Sequence, residues 1–214
     1  MPGLSPEREA KFRRVVSRRQ PDLTVILENV YDTHNIGAVL RSCDSVGISE
    51  IFALYNEPGK GVKRVIIGKK TSAGSRKWVD VHYFQDTISC FETVRKKYRR
   101  ILCTHLEEPA ATLYELDLTQ PTALLFGNER DGVTEASRAL CDGNFVIPMM
   151  GMAASLNISV ACAVSLYEAG RQRQMAGMYG ENTRLSAEAE AALYETYLAR
   201  SEERINKRLA NKAE

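Results

Sequence analysis

Short apolar runs alternate with longer amphipathic segments along most of this 214-residue chain. Short apolar runs that end at polar or turn-forming residues are typical of buried β-strands. The pattern predicts strands at residues 23–27, 51–55, 79–84, 101–105, 122–126 and 145–147. The run at 79–84 is the most polar of these, and we expect it at an edge of the sheet.

The segments between these runs carry apolar residues at helical spacing and begin or end with capping residues. They predict helices at residues 5–19, 35–46, 86–100, 133–140, 155–175 and 185–209. Repeated alternation of strand and helix implies a mostly parallel sheet with helices on both faces. The predicted fold class is therefore α/β, with an N-terminal basic helix (1–20), a central domain (21–176) and a C-terminal helical extension (177–214).

Composition excludes several classes of protein. The net charge is only +2, so the total charge neither requires nor excludes a nucleic-acid partner. The five cysteines form no CxxC pair and the three histidines are dispersed, so we expect no metal site. No apolar run is long enough to span a membrane, and the N-terminal residues lack the apolar core of a secretory signal. The expectation is a cytoplasmic protein.

Three segments that follow predicted strands carry polar residues suited to ligand binding. The first, HNIGAVLRSCDSVG, places Asn35 just before a predicted helix and Arg41 two turns further on. The second, LLFGNERDGVT, leads from a strand into Gly127, where a ligand can approach the backbone, and then to Glu129. The third, IPMMGMAASLNIS, brings an apolar loop to Ser155 at the predicted start of a helix.

Each segment alone also has a plain structural interpretation. Asn35 and Ser155 are typical helix N-caps, and Arg41 is an ordinary surface charge. The Gly127 segment is equally consistent with a strand-to-helix turn that bends at residues 131–132. Open parallel sheets nevertheless bind ligands at the carboxyl ends of their strands, where these segments lie. The chain has no GxGxxG and no Walker sequence, so neither a dinucleotide fingerprint nor a phosphate loop explains them.

Taken together and in this order, the segments resemble the signature motifs of the SpoU/TrmH branch of the SPOUT methyltransferases. The motifs are Asn35 with Arg41, then GNE at 127–129, then IPM at 147–149 with SLN at 155–157. The flanking runs RRQPDLTVILENVYDTHNIGAVLRS and QRQMAGMYGEN are most similar to members that methylate the 2′-oxygen of guanosine 18 in the tRNA D-loop. The resemblance implies a deep C-terminal trefoil knot, S-adenosylmethionine as cofactor, tRNA as partner, and a homodimer.

The resemblance also implies roles for individual residues. The implied cofactor contacts are Thr104, Gly127, Asn128, Ile147, Met149 and Leu156. The implied catalytic group comprises Asn35, Arg41, Glu129, Ser155 and Asn157. A guanidinium keeps its proton in proteins, so we interpret Arg41 as a group that binds the target phosphate and stabilises negative charge on the 2′-oxygen.

Basic residues cluster locally although the net charge is small. Residues 8–19 hold six cations and one acid, and residues 95–100 hold five cations and no acid. Such runs are usually solvated helix faces, and RNA binding is favoured here because the methylation target requires it. The residues predicted to bind RNA are Arg8, Lys11, Arg14, Arg18, Arg19, Arg171 and Arg173. Two alternatives stay open, namely the same reaction at another tRNA or rRNA nucleotide and a non-catalytic RNA-binding protein.

Overall fold

The computed structural model describes residues 5–57, 74–106, 109–180 and 184–213, without the side chains of 203–213. Within these residues, one parallel sheet has the strand order β3-β2-β1-β6-β4-β7-β5. The strands are β1 (Leu23–Glu28), β2 (Glu50–Leu54), β3 (Asp80–Phe84), β4 (Arg100–Thr104), β5 (Ala111–Thr112), β6 (Thr122–Phe126) and β7 (Gly143–Val146).

Helices accompany the sheet in the order that the sequence predicts. They are α1 (Pro6–Ser17), α2 (Thr33–Ser45), α3 (Thr87–Arg95), α4 (Glu135–Arg138), α5 (Ile158–Met175) and α6 (Ala187–Ala213), with 3-10 turns at Ser75–Lys77 and Leu113–Glu115. The start of α1 follows the sequence signal, because the Ser5 hydroxyl accepts a hydrogen bond from the Arg8 N–H over 3.3 Å. In the described part of the chain, no helix is both long and apolar enough to cross a membrane.

Side chains of β1 alternate between two apolar layers. Val25 and Leu27 pack in the layer that contains Leu166 of α5, while Ile26 packs in the layer that contains Phe91 of α3. Successive residues of a strand point to opposite faces, so both faces of the sheet are covered by helices. The predicted α/β class with a parallel sheet flanked by helices is confirmed.

Several elements differ from their predicted bounds. The helix α3 ends at Arg95 instead of residue 100, because Tyr98 turns back into the core, where it is 1% exposed. The helix α4 has only four residues. The strand β5 has no counterpart in the prediction, because two residues give no periodic signal. The strand β3 lies at an edge of the sheet, as the sequence predicts.

The strand order contains a crossing at the β5 edge of the sheet. The strands β4 and β5 are neighbours along the chain, yet β7 lies between them and pairs with both. Phe145 of β7 lies opposite Thr104 on one side and Ala111 on the other. The chain that leaves β6 therefore passes across β4 before it enters the sheet again. This crossing places the carboxyl ends of β6, β4 and β7 side by side.

The first and last helices pack against each other. The Arg8 guanidinium donates a hydrogen bond to the Ser201 hydroxyl over 2.7 Å. The Arg13 guanidinium lies 4.7 Å from the centroid of the Tyr194 ring, which is the geometry of a cation–π contact. Positive groups of α1 therefore contribute to its packing against α6 as well as to the surface charge.

The carboxylate of Glu50, at the start of β2, accepts hydrogen bonds from Lys97 (2.8 Å) and the Tyr98 hydroxyl (2.9 Å) and lies 2.9 Å from His82. Burial acts to raise the pKa of Glu50, but the hydrogen bonds from His82, Lys97 and Tyr98 together lower it to about 2. Because folding lowers this pKa, the contribution of Glu50 to stability is complete above its ordinary pKa of 4.5 and is lost as the pH falls towards 2.

We therefore expect Glu50→Gln to lower the free energy of unfolding at neutral pH. The difference from the wild type should shrink as the pH falls from about 4.5 towards 2, because over that interval the Glu50 carboxylate of the unfolded chain binds a proton while that of the folded protein is still largely ionised. Urea unfolding at a series of pH values measures this difference. A difference that stays constant across the interval would contradict the role given to these hydrogen bonds.

Candidate active site

A cavity of about 350 Å³ opens at the carboxyl ends of β4, β6 and β7. Its size lies within the range of small-molecule sites, roughly 300 to 1,000 Å³. Glu129 and Ser155 of the predicted catalytic group lie in its wall. The wall also includes each of the predicted cofactor contacts, Thr104, Gly127, Asn128, Ile147, Met149 and Leu156. The described histidines, cysteines and carboxylates form no cluster that could hold a metal ion.

The loop between β6 and α4, called the glycine loop here (residues 127–134), is closed by its own backbone. Asn128 and Gly132 form an antiparallel bridge across it. The Asn128 side-chain oxygen accepts hydrogen bonds from the N–H groups of Arg130 (2.9 Å) and Asp131 (2.7 Å). A Cβ built on Gly127 would lie 2.0 Å from the Gly132 carbonyl carbon and oxygen, so only glycine fits there.

Three side chains from separate segments meet beside the glycine loop. Asn35 of α2 donates a hydrogen bond from Nδ2 to the Glu129 carboxylate. Asn157 donates from Nδ2 to the Asn35 side-chain oxygen over 3.2 Å. These partners are 94 and 122 positions apart, and they meet because α2, α5 and the glycine loop all begin at the carboxyl edge of the sheet. One residue from each of the three sequence motifs is therefore present in this cluster.

The first turn of α2 is arranged differently from the simple capping interpretation. The helix begins at Thr33, and its N-cap is Asp32, whose carboxylate accepts a hydrogen bond from the His34 N–H over 2.8 Å. Asn35 therefore lies inside the first turn and does not cap the helix. Because Asp32 caps the helix, the Asn35 side chain is available to form hydrogen bonds with both Glu129 and Asn157.

The start of α5 also differs from the prediction, which places it at Ser155. The helix begins at Ile158, and Asn157 is its N-cap, with Oδ1 accepting hydrogen bonds from the Ser159 N–H (2.9 Å) and hydroxyl (2.6 Å). Ser155 lies two residues before the cap and is exposed, so its predicted capping role is wrong. Because one end of the Asn157 amide caps the helix, its other end is held in position towards Asn35.

Arg41 lies six residues after Asn35 on α2, about 9 Å further along the helix axis. Its side chain is exposed and is not part of the cavity wall. Within the residues that the structure describes, its guanidinium forms no hydrogen bond or ion pair. Asn35, Glu129 and Asn157 of the same chain therefore lie together, and Arg41 lies apart from them.

Two thiols near the cavity belong to the core. A hydrogen bond from Cys141 lowers the pKa of Cys103 against the effect of burial, while the same contact and burial raise the pKa of Cys141. Cys103 precedes Thr104 on β4, and neighbouring strand residues face opposite sides of the sheet. Cys103 packs in the apolar layer that contains Phe91, so we assign the pair no role at the cavity.

Cations that are exposed, apart from the half-buried Arg8, line two grooves beside α1, with volumes of about 510 and 870 Å³. Arg14 lies in both grooves, Arg18 and Arg171 lie in the first, and Arg8 and Lys11 lie in the second. Arg171 also forms an ion pair within α5. These five residues of the predicted RNA-binding set therefore line the two grooves that border α1.

Arg19 and Arg173 are not part of this exposed surface, since their exposed fractions are 1% and 0%. The Arg19 guanidinium donates to the Ile48 carbonyl (3.0 Å) and the Asp44 carboxylate (2.8 Å). The Arg173 guanidinium donates to the Asp22 carboxylate over 2.6 Å. The expectation that these two arginines bind RNA is wrong, because buried acceptors hold both guanidiniums inside the protein.

Sequence reasoning missed two polar residues of this region. His105 follows β4, lies in the cavity wall and is 2.5 Å from the Arg138 guanidinium. Glu28 is the last residue of the buried strand β1 and is 0% exposed. The sequence signal that could have identified Glu28 is its position directly after the apolar run 23–27, which predicts a buried carboxylate. Buried carboxylates are rare, so such a residue is a candidate for a specific role.

Comparison with known proteins adds an independent line of evidence. The model of the SpoU rRNA Methylase family matches residues 22–167. The chain belongs to this family. It is 45% identical over 192 residues to the tRNA (guanosine(18)-2′-O)-methyltransferase of Thermus thermophilus, a match that covers 90% of this chain and 94% of that protein.

Solved structures of the SpoU family agree with this assignment. The TrmH/SpoU tRNA modifying enzyme of A. aeolicus superposes with a TM-score of 0.81 at 34% identity, covering 91% of this chain and 96% of that one. The SpoU methyltransferase AviRb of Streptomyces viridochromogenes, crystallised with the cofactor AdoMet (S-adenosylmethionine), gives a TM-score of 0.64 at 28% identity, with 82% and 67% covered. The resemblance of the chain to the SpoU/TrmH branch is confirmed.

Proposed function

We propose that this protein transfers a methyl group from S-adenosylmethionine to the 2′-oxygen of guanosine 18 in tRNA. The meeting of Asn35, Glu129 and Asn157 beside a ligand-sized cavity is the observation that carries the proposal. It joins the three motif segments of the SpoU family at one place. The choice of RNA is supported by 45% identity, over 90% of the chain, to a protein with that activity.

The cavity suits S-adenosylmethionine. Ile147 and Leu156 offer apolar surface for an adenine ring, and Gly127 leaves the backbone open to close approach. Glu129 and Asp131 lie in the wall with Arg130 between them, and the two acids offer negative charge to a cationic ligand. When bound, the cofactor supplies an activated methyl group on a positively charged sulfur. The residues of the wall that the SpoU motifs single out, from Thr104 to Leu156, are the proposed contacts.

Most of the proposed catalysis is alignment of the ribose. Glu129 lies in the cavity wall and Asn35 is hydrogen-bonded to it, and we propose that this carboxylate and amide bind the ribose or the guanine of the target nucleotide. Asn157 fixes the Asn35 amide, and Ser155 completes the pocket wall. Holding the reacting atoms in line can lower the barrier by up to ~7–11 kcal/mol in favourable cases.

Arg41 is the proposed electrostatic group. Its guanidinium remains charged throughout, so it binds the phosphate of the target nucleotide and stabilises the negative charge that develops on the 2′-oxygen. The proton of the 2′-hydroxyl is proposed to pass to an oxygen of that phosphate. This assignment requires Arg41 to reach the ribose, although it lies outside the cavity wall of its own chain.

A homodimer is proposed on the basis of an exposed apolar surface next to the cavity. Met150 and Met152, between β7 and α5, are 95% and 104% exposed. Val160 and Tyr167 of α5 are also exposed, and their spacing of seven residues places them on one face of the helix. Apolar surfaces of this kind often mark interfaces between proteins. Sedimentation equilibrium tests the dimer, and a monomer at micromolar concentration would contradict it.

We also propose that the chain contains the trefoil knot of the SPOUT fold, that it divides at residues 20 and 176, and that it is cytoplasmic. The insertion of β7 between β4 and β5 supports a threaded chain within the domain at residues 21–176. We retain residues 1–20 and 177–214 as helical extensions, since α1 packs against α6. The five cysteines are free thiols, which supports a reducing compartment such as the cytoplasm.

The exposed cations beside α1 are the proposed RNA-binding surface. We expect Arg14→Ala and Arg18→Ala each to weaken tRNA binding and to reduce the slope of log K against log salt by ~0.9, because each removes about one phosphate contact. Filter binding over a range of salt concentrations measures both effects. Lys96→Ala removes an exposed cation from the other basic run, which lines neither groove, and is the control for a binding surface located beside α1. An equal change of slope in the control would contradict the proposed surface.

The reaction itself is tested by methyl incorporation into an unmodified tRNA transcript. We expect one 2′-O-methyl group at guanosine 18, and none in a transcript that carries 2′-deoxyguanosine at that position. A methyl group at a different nucleotide would favour another RNA target for the same chemistry. A protein that binds tRNA but not S-adenosylmethionine would instead be a non-catalytic RNA-binding protein.

A further inference from the structure

The carboxylate of Glu28, at the end of β1, is completely buried, and the donors it receives among the described residues are all neutral groups. Its Oε1 accepts from the Asn56 amide (2.7 Å), the Thr134 hydroxyl (2.8 Å) and the Ser137 hydroxyl (2.5 Å). Its Oε2 accepts from the backbone N–H of Thr134 over 2.8 Å. Burial of a charged group is costly unless its lone pairs are satisfied, and here both oxygens have donors.

The donors to this carboxylate come from segments that frame the candidate active site. Thr134 ends the glycine loop, five residues after Glu129, and is the N-cap of α4. Asn56 follows β2, and its Oδ1 accepts a hydrogen bond from Asn29 over 2.7 Å. Asn29 has a φ of 55° and begins the segment that leads to Asn35. One buried group therefore joins the end of the glycine loop to the segment before α2.

We propose that Glu28 is a positioning residue for methyl transfer. Its carboxylate anchors the Thr134 end of the glycine loop to β1 and thereby sets Glu129 opposite Asn35. Glu28 is not part of the cavity wall, so it acts through the loop and not on the ligand. The inference rests on the proposed function, because it assumes that S-adenosylmethionine binds against this loop.

A glutamate suits this position better than its neutral isostere. Glutamine has the same shape, but one oxygen becomes an NH2 group that would face donor groups of Thr134, Ser137 or Asn56. The Thr134 N–H lies at the start of α4, where backbone donors lack a partner in the helix and need an acceptor. Loss of that acceptor would free the end of the loop to shift.

The test is the affinity for S-adenosylmethionine, measured by calorimetry on the full chain. We expect Glu28→Gln to raise the Kd about tenfold, which corresponds to the loss of a strong hydrogen bond in the anchor. Ser137→Ala keeps the carboxylate and removes one donor, and we expect it to raise the Kd about threefold. Both variants are also followed by thermal unfolding.

Asp22→Asn is the control for a purely structural loss. Asp22 precedes β1 at its opposite end, and its carboxylate accepts hydrogen bonds from Arg173 (2.6 Å) and Arg184 (2.5 Å). We expect this variant to lower the thermal midpoint at least as much as Glu28→Gln and to keep the wild-type Kd. A rise in Kd that Glu28→Gln shows and Asp22→Asn does not is an effect that loss of stability alone would not produce.

Three results would overturn the inference. The first is a folded Glu28→Gln variant with the wild-type Kd, and the second is an Asp22→Asn variant whose Kd rises as much as that of Glu28→Gln. If Glu28→Gln does not fold, Ser137→Ala decides, and an unchanged Kd in that variant overturns the inference. A wild-type protein that does not bind S-adenosylmethionine would overturn the proposed function itself, which keeps the two failures distinct.

Discussion

Replacement of Arg41 by alanine is expected to lower the rate constant of methyl transfer by about 10²–10³-fold, the range found when a positioned electrostatic donor is removed. The affinity for S-adenosylmethionine should not change, because Arg41 is not part of the cavity wall. Stability should change by no more than about 0.5 kcal/mol, since the side chain is exposed. Single-turnover kinetics with saturating tRNA and calorimetry with the cofactor alone separate these effects.

Two further variants sharpen this test. Arg41→Lys keeps the positive charge and loses the planar fork that binds a phosphate through two N–H groups, so we expect an intermediate rate. Arg99→Ala removes an exposed arginine that lies outside the cavity wall and should retain most of the wild-type rate at saturating tRNA. Undiminished turnover in Arg41→Ala would exclude Arg41 from the reaction. Loss of cofactor affinity would show that it supports the cavity instead.

The central strands could be predicted from the sequence because their burial leaves a direct trace. Both faces of β1 and β6 are covered, so the runs at 23–27 and 122–126 are apolar except for one buried threonine in each, Thr24 and Thr122. The strand β5 leaves no such trace, because two half-buried residues pair with β7 only after the chain has crossed β4. Short edge elements of this kind depend on the tertiary arrangement and not on local pattern.

Helix starts show a second limit of sequence reasoning. Asp32, Asn35, Ser155 and Asn157 are all suitable N-cap residues, so composition does not decide among them. In the structure, Asp32 and Asn157 take the caps, which leaves the Asn35 amide to bind Glu129. The decision depends on where α2 and α5 meet the sheet, and that is a long-range property.

The buried arginines show why charge patterns are incomplete evidence for a binding surface. Arg18 and Arg19 are adjacent in the same basic run, yet Arg18 is exposed and Arg19 is 1% exposed. The difference arises from Asp44, whose carboxylate comes from α2 and accepts a hydrogen bond from Arg19 over 2.8 Å. Arg173 depends in the same way on Asp22. A single sequence does not reveal such distant partners.

Gly127→Ala is expected to raise the Kd for S-adenosylmethionine by at least about 100-fold. The added Cβ would lie 2.0 Å from the Gly132 carbonyl and 2.3 Å from the Val133 nitrogen, and backbone atoms cannot rotate away as a side chain can. Thr134 is held by Glu28 at the other end of the loop, which restricts the shift that would relieve the overlap. Overpacking of this kind costs about 1–3 kcal/mol or more, so the thermal midpoint should fall as well.

Two other glycines separate this overlap from the general effect of an added methyl group. Gly132 has a φ of 69° and no atom within 4 Å of its built Cβ, so Gly132→Ala carries backbone strain alone, about 1–2 kcal/mol. Gly151 has open space, and Gly151→Ala should bind the cofactor as the wild type does. Calorimetry should therefore order the Kd values as Gly127→Ala, Gly132→Ala and Gly151→Ala, from weakest to tightest binding. Wild-type affinity in Gly127→Ala would contradict the closed geometry of the loop, and with it the cofactor contact proposed there.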